Sequence, residues 1–236
     1  MPRPLLPTAT AVLLWLALLA PPQLAGQVDV TLTGVGENVV VNGVYVGHYT
    51  LATPGTPSLD VYCVDFLNSV GIGNQWDAHF SGLGGALGNT RHGEAARTLY
   101  QKAAWLTTQF GMHVKQEWGA IHAAIWYTMA PNPEAITKLK QSNWYQWQKG
   151  STTVQHWIDM ANANYASLDP SRFVVITDVN AVGQALGGKQ EYVAVVAVPE
   201  PATMLLLGSG LAGLAGAARA RRRRRDGLGG LPDEVG

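Results

Sequence analysis

Val39-Val40-Val41-Asn42-Gly43-Val44-Tyr45-Val46 is the stretch on which the fold of this chain turns. Two β-branched runs flank an Asn-Gly pair, the dipeptide that most readily takes the positive φ angles of a type I′ hairpin turn. Upstream, Val28-Asp29-Val30-Thr31-Leu32 alternates apolar and polar residues with the period of a half-buried strand. Downstream, a loop holding Pro54 and Pro57 leads to a run from Leu59 to Phe66, which reads as a buried strand with Cys63 in its middle. Apolar runs at 172–179 and 191–198 read as the closing strands.

Between the two sets of strands the apolar period lengthens to that of a helix. Over about 94–110, Leu99, Ala103, Leu106 and Phe110 form one stripe. Over about 117–129, Trp118, Ile121, Ile125, Trp126 and Met129 form a second, which Pro131-Asn132-Pro133 ends. Over about 152–165, Val154, Trp157, Ile158, Ala161 and Tyr165 form a third. Strands at both ends with helices between them predict an α+β domain. Its antiparallel sheet is completed by the two ends of the segment, with a helical insert over about 90–168. The glycine-rich run 71–89 lacks both Gly-x-Gly-x-x-Gly and Gly-Lys-Ser/Thr, so a flexible loop is expected there rather than a phosphate cradle. Trp144-Tyr145-Gln146-Trp147 has two readings, a helix–loop corner capping the core or an aromatic platform of the kind that stacks on sugars.

Both ends of the chain have the composition of targeting segments. Of 236 residues 14% are charged, well below the roughly 25% of an ordinary globular chain. Arg3, the apolar run from Ala9 to Ala20, Pro21-Pro22 and the small residues Ala25-Gly26 read as a signal peptide over 1–26. At the other end stand Pro199-Glu200-Pro201, then 17 uncharged residues from Ala202 to Ala218. Arg219, Arg221, Arg222, Arg223, Arg224 and Arg225 follow. As a helix, 202–218 is roughly 25 Å long, at the short end for crossing a bilayer, and the arginines on its far side point to a cytoplasmic C-terminus. Gly208, Ala212 and Gly216 make a small-residue ridge along it. The Gly-rich tail 226–236 is expected to be disordered. That leaves an exported domain over 27–197, large enough for a single core.

From Gln27 to Val198 there are nine Lys and Arg against twelve Asp and Glu, a net charge of −3. This gives no footprint for nucleic acid. Cys63 is the only cysteine, so no internal disulfide forms. The histidines at 48, 79, 92, 113, 122 and 156 never take zinc spacing. Asp60, Asp65 and Asp77 offer carboxylates for calcium but none of the EF-hand pattern. No Gly-x-Ser-x-Gly elbow occurs. Cys63 and His122 are the pair worth weighing. His122 lies four residues from both Trp118 and Trp126, so it faces the core as a partner of Cys63 would. A thiol in the middle of a strand favours the neutral form over a nucleophilic thiolate. No catalytic residue, metal or cofactor is expected.

The three-part C-terminus resembles the PEP-CTERM sorting domain of exported proteins in Gram-negative bacteria. The resemblance covers about 198–225, and Pro199, Glu200 and Pro201 stand at its name motif. It implies an exosortase-type enzyme as partner. That enzyme would remove the apolar segment at the inner membrane and pass the protein to the surface or the exopolysaccharide matrix. A second resemblance rests on Tyr62-Cys63-Val64-Asp65, Ala104-Trp105-Leu106 and Ala124-Ile125-Trp126, which are similar to motifs of the thioester domains of bacterial surface adhesins. In that family a glutamine one residue before Ala-Ile-Trp is acylated onto the cysteine. Here His122 occupies that position, and Gln109 and Gln116 do not keep the spacing. The expectation is a non-enzymatic surface or matrix protein. A covalent adhesin acting through Cys63 and a secreted hydrolase of matrix polysaccharide are the alternatives.

Overall fold

The computed structural model describes residues 27–55, 57–130, 132–143 and 152–196. The expected signal peptide, the Trp144–Trp147 run, the 198–225 segment with its 202–218 helix, and the tail lie outside the described residues.

Six strands close on themselves. They are β1 (Gln27–Val35), β4 (Tyr49–Ala52), β5 (Leu59–Cys63), β6 (Gln75–Gly82), β7 (Phe173–Asp178) and β8 (Tyr192–Val195). The order around the barrel is β1-β4-β5-β8-β7-β6, every neighbouring pair antiparallel. Between β1 and β4 the chain makes a separate hairpin of β2 (Val40–Val41) and β3 (Val44–Tyr45). Asn42 and Gly43 turn it with φ of 49° and 84°, the positive pair that Asn-Gly supplies.

The closed barrel overturns the expected α+β architecture of an open sheet with a helical insert. β6 is the reason. It occupies the segment read as a flexible glycine loop, and it pairs with β1 on one side and β7 on the other, removing both free edges. Trp76 and Ala78 point to the core while Gln75 and Asp77 are exposed. The expected spanning helix at 202–218 is not among the described residues. Among the described residues no helix is long and apolar enough to cross a membrane.

Register assigns the faces, because directly paired residues point to the same side. Val61 pairs with Ala194, Cys63 with Tyr192 and Ile176 with Tyr192, all fully or almost fully buried on one face. Val175 pairs with Val193 on the opposite face, and these two are buried as well. Helices provide that second cover. α1 (Arg97–Thr107) packs on β8 and against α2 (Trp118–Met129) and α4 (Val154–Asn164), which also pack on each other. Ten of the twelve α2 residues are buried, more than a single apolar stripe needs, because α2 sits inside this layer. The first helical stripe is rotated from the expected one. Tyr100, Ala103, Ala104, Leu106 and Thr107 are buried, whereas Leu99 is 36% exposed at the rim.

One helix went unforeseen. Asn132-Pro133, soon after the end of α2, starts α3 (Pro133–Gln141). The Asn132 side chain accepts a hydrogen bond from Ala135 N at 2.9 Å, and Pro133 stands at the first helical position, where its missing N–H costs nothing.

Candidate functional site

β5 delivers Cys63 at its C-terminal end, not in mid-strand as expected, and α2 sets His122 against it. The imidazole is fully buried and bridges two main-chain groups. Nε2 lies 2.8 Å from Cys63 O, and Gly47 N donates to Nδ1 at 3.2 Å. The Gly47 bond fixes Nδ1 as the acceptor, so the proton sits on Nε2 and is donated to the carbonyl. Burial holds the ring neutral, with its pKa lowered to about 4. Gly47 itself lies at φ 98°, and a Cβ there would stand 2.8 Å from the Trp118 ring.

The thiol takes no part in that bridge. Cys63 Sγ donates to Asp65 O at 3.1 Å. Burial, then the Asp65 charge, pushes its pKa up to about 12, opposed by hydrogen bonding to Asp65 and the Trp126 side chain. A thiol so protonated is a poor nucleophile at neutral pH. The fold sets the two residues side by side, but both nitrogens of His122 hold backbone and neither faces sulfur. The thioester resemblance gains no support from this geometry. Gln109 Nε2 is committed to Trp105 O and Thr108 Oγ1, and Gln116 is exposed.

A buried polar network flanks this pair, and sequence reasoning missed it. Arg91 Nε stands 3.2 Å from Asp65 Oδ2, an attraction of charge without an aligned hydrogen bond. The rest of the guanidinium donates to the carbonyls of Gln184, Gly187 and Lys189 at 2.6–3.1 Å. Asp65 also accepts from Leu67 N and from Asn68 Nδ2. Glu191 is fully buried and accepts from Arg91 N at 2.8 Å, Thr177 Oγ1 at 2.7 Å and Tyr100 OH at 2.8 Å. Burial raises its pKa against those three hydrogen bonds. The arrangement ties the 184–191 loop to the barrel and offers no open position to a substrate. Arg91 and Glu191 lie a hundred residues apart, so no local signal announces their contact.

The calcium candidates are not gathered. Asp60 and Asp77 are exposed on β5 and β6, while Asp65 is engaged as above. Among the described residues no group of three or more His, Cys, Asp or Glu side chains could hold a metal ion. A cleft does open over this region, between the β2–β3 hairpin and the loop after β5, with Tyr45, Tyr49, Phe66 and Trp126 among its walls. Tyr45 of the hairpin was legible as a strand former, not as a wall.

These features define a small closed barrel, roofed by helices, whose one Cys–His contact is structural. Its destination comes from the other end of the chain. Residues 197–224 match the family model described as the PEP-CTERM protein-sorting motif. The match takes in Pro199, Glu200, Pro201, Arg219 and Arg221 to Arg224, and ends one residue before Arg225. The motif implies an exosortase substrate, exported, held at the membrane and then placed at the surface. Neither curated proteins nor solved structures give a match to this chain.

Proposed function

We propose that this chain is an exported surface protein in which an exosortase-type enzyme acts on the C-terminal motif and the barrel is displayed as a non-enzymatic binding module. The observation that carries the reading is the sorting motif at 197–224, which begins two residues after β8 ends at Val195. The domain side of the reading is supported by where its reactive groups go. The Cys63 thiol, the His122 imidazole and the Glu191 carboxylate are all buried and hydrogen-bonded within the fold. The exopolysaccharide matrix is the finer destination we assign.

Intact mass of the protein recovered from its native envelope and from the culture supernatant tests this. A species beginning near Gln27 and ending near Pro201 is expected. A chain recovered with its C-terminus entire, in the envelope as well as outside it, overturns processing by an exosortase.

A further inference from the structure

We infer that the cleft beside the β2–β3 hairpin binds a neutral carbohydrate. The inference rests on the reading of the domain as a non-enzymatic binding module. The cleft encloses about 240 Å³ and is open to solvent on one side. Tyr45, Tyr49, Phe66 and Trp126 contribute aromatic surface to it. Asn68, Ser69 and Gln190 contribute amide and hydroxyl groups. Among the described residues no charged side chain lines it.

That combination selects for a ligand with two kinds of surface. A sugar ring has C–H faces that pack on aromatic rings and a rim of hydroxyls that both donate and accept hydrogen bonds. An anionic ligand would lose its hydration with no cation to replace it. A wholly apolar ligand would cover the amides without pairing them. The size is also limiting. At about 240 Å³ the cleft is smaller than the 300–1,000 Å³ of drug-sized sites. It suits a terminal unit of one or two sugar rings, not a long stretch of polymer.

The walls are fixed without a ligand. Tyr49 OH donates to Tyr45 O at 3.0 Å, and the Tyr49 ring meets Tyr192 edge-on at 5.9 Å. Trp126 stacks on His122 at 4.5 Å, and His122 is clamped as described. Asn68 is oriented by Asp65 Oδ2 at 2.6 Å and by Gly187 N at 2.9 Å. Gln190 is oriented by Tyr192 OH at 3.1 Å and by Asp65 O at 3.4 Å. Each primary amide carries two N–H donors and two lone pairs, so capacity for a ligand remains after these bonds. Groups held in this way lose little freedom on binding.

Calorimetry on the full-length chain, in a detergent without a sugar headgroup, tests the inference. The probes are gluco-, galacto-, manno- and N-acetylhexosamine mono- to tetrasaccharides, each set against the corresponding uronate. At least one neutral saccharide is expected to bind. Tyr45→Ala removes a ring that is 40% exposed and is expected to weaken binding by about tenfold. Met112→Ala, exposed and outside the cleft, is expected to leave it within about threefold. Far-UV circular dichroism and the thermal midpoint of the same samples check that Tyr45→Ala is folded. No binding of any neutral saccharide at millimolar concentration overturns the inference alone, as does equal binding by Tyr45→Ala or by the uronates. Recovery of shortened saccharides overturns the non-enzymatic reading, and the inference with it.

Discussion

One half of the barrel wall is bare and the other is roofed. β1, β4 and β6 turn Asp29, Thr31, Thr50, Gln75 and Asp77 toward the outside. β8 lies under the helical layer, and beside it all six residues of β7 are buried. The bare half tolerates what the roofed half cannot. Asp29 and Asp77 stand directly opposite each other across β1 and β6, two like charges exposed to solvent. Under the roof, Asp65 and Glu191 are buried, and every carboxylate oxygen there has a partner. The same side chain is nearly free of consequence on one side and structural on the other.

The largest test of that contrast is Arg91→Met. It leaves Asp65 buried without its cation and releases three carbonyls of the 184–189 loop. Chemical denaturation is expected to show a loss of about 3–5 kcal/mol. Next comes acid. His122 has a pKa of about 4 in the folded chain against an ordinary 6.5, so as pH falls protons reach the unfolded state first. Its contribution is complete above pH 6.5 and declines toward pH 4, by roughly 3 kcal/mol in all. Glu191 acts with the opposite sign. Its raised pKa gives a contribution that is present below the ordinary 4.5 and lost as pH rises through the folded value. Denaturation midpoints of wild type and His122→Gln, measured from pH 7.5 to 4, separate the two. The imidazole part of the slope vanishes in the variant.

Gly47→Ala is a smaller change under the same roof. The φ of 98° and the approach to Trp118 are expected to cost about 1–3 kcal/mol, read as a lowered midpoint in urea. The smallest effect belongs to the bare side. Asp77→Thr removes the like-charge pair and is expected to stabilise by about 0.2–1 kcal/mol. The gain should shrink in high salt. A loss of stability there would break the contrast.

The same division explains what the sequence could disclose. β7 and β8, buried on both faces, are continuous apolar runs and were legible as strands. β6 was equally legible in kind, since Gln75-Trp76-Asp77-Ala78-His79-Phe80 alternates perfectly well. Its neighbours Gly71, Gly73, Gly82, Gly84 and Gly85 drew the reading toward a loop. Without β6 the wall has two edges, and an open α+β sheet is the natural inference. Cys63 and His122 were legible as neighbours because helical spacing fixes the face of α2. Their chemistry was not, because it depends on Gly47 N–H arriving from the far end of a hairpin. The Arg91–Glu191 network and the Gln190 wall of the cleft were illegible for a related reason. They exist only once β8 is laid between β5 and β7.

That placement of β8 has a mechanical consequence. The last strand before the sorting motif is an interior stave of the barrel, paired to β5 on one side and to β7 on the other. The chain leaves it through Val196, whose N–H is bonded to Arg172 O at 2.8 Å. A pull on the C-terminus therefore runs along β8 and must shear two ladders at once, instead of peeling one edge open bond by bond. A domain hung from its C-terminal end is hung from a strand that its neighbours hold on both sides.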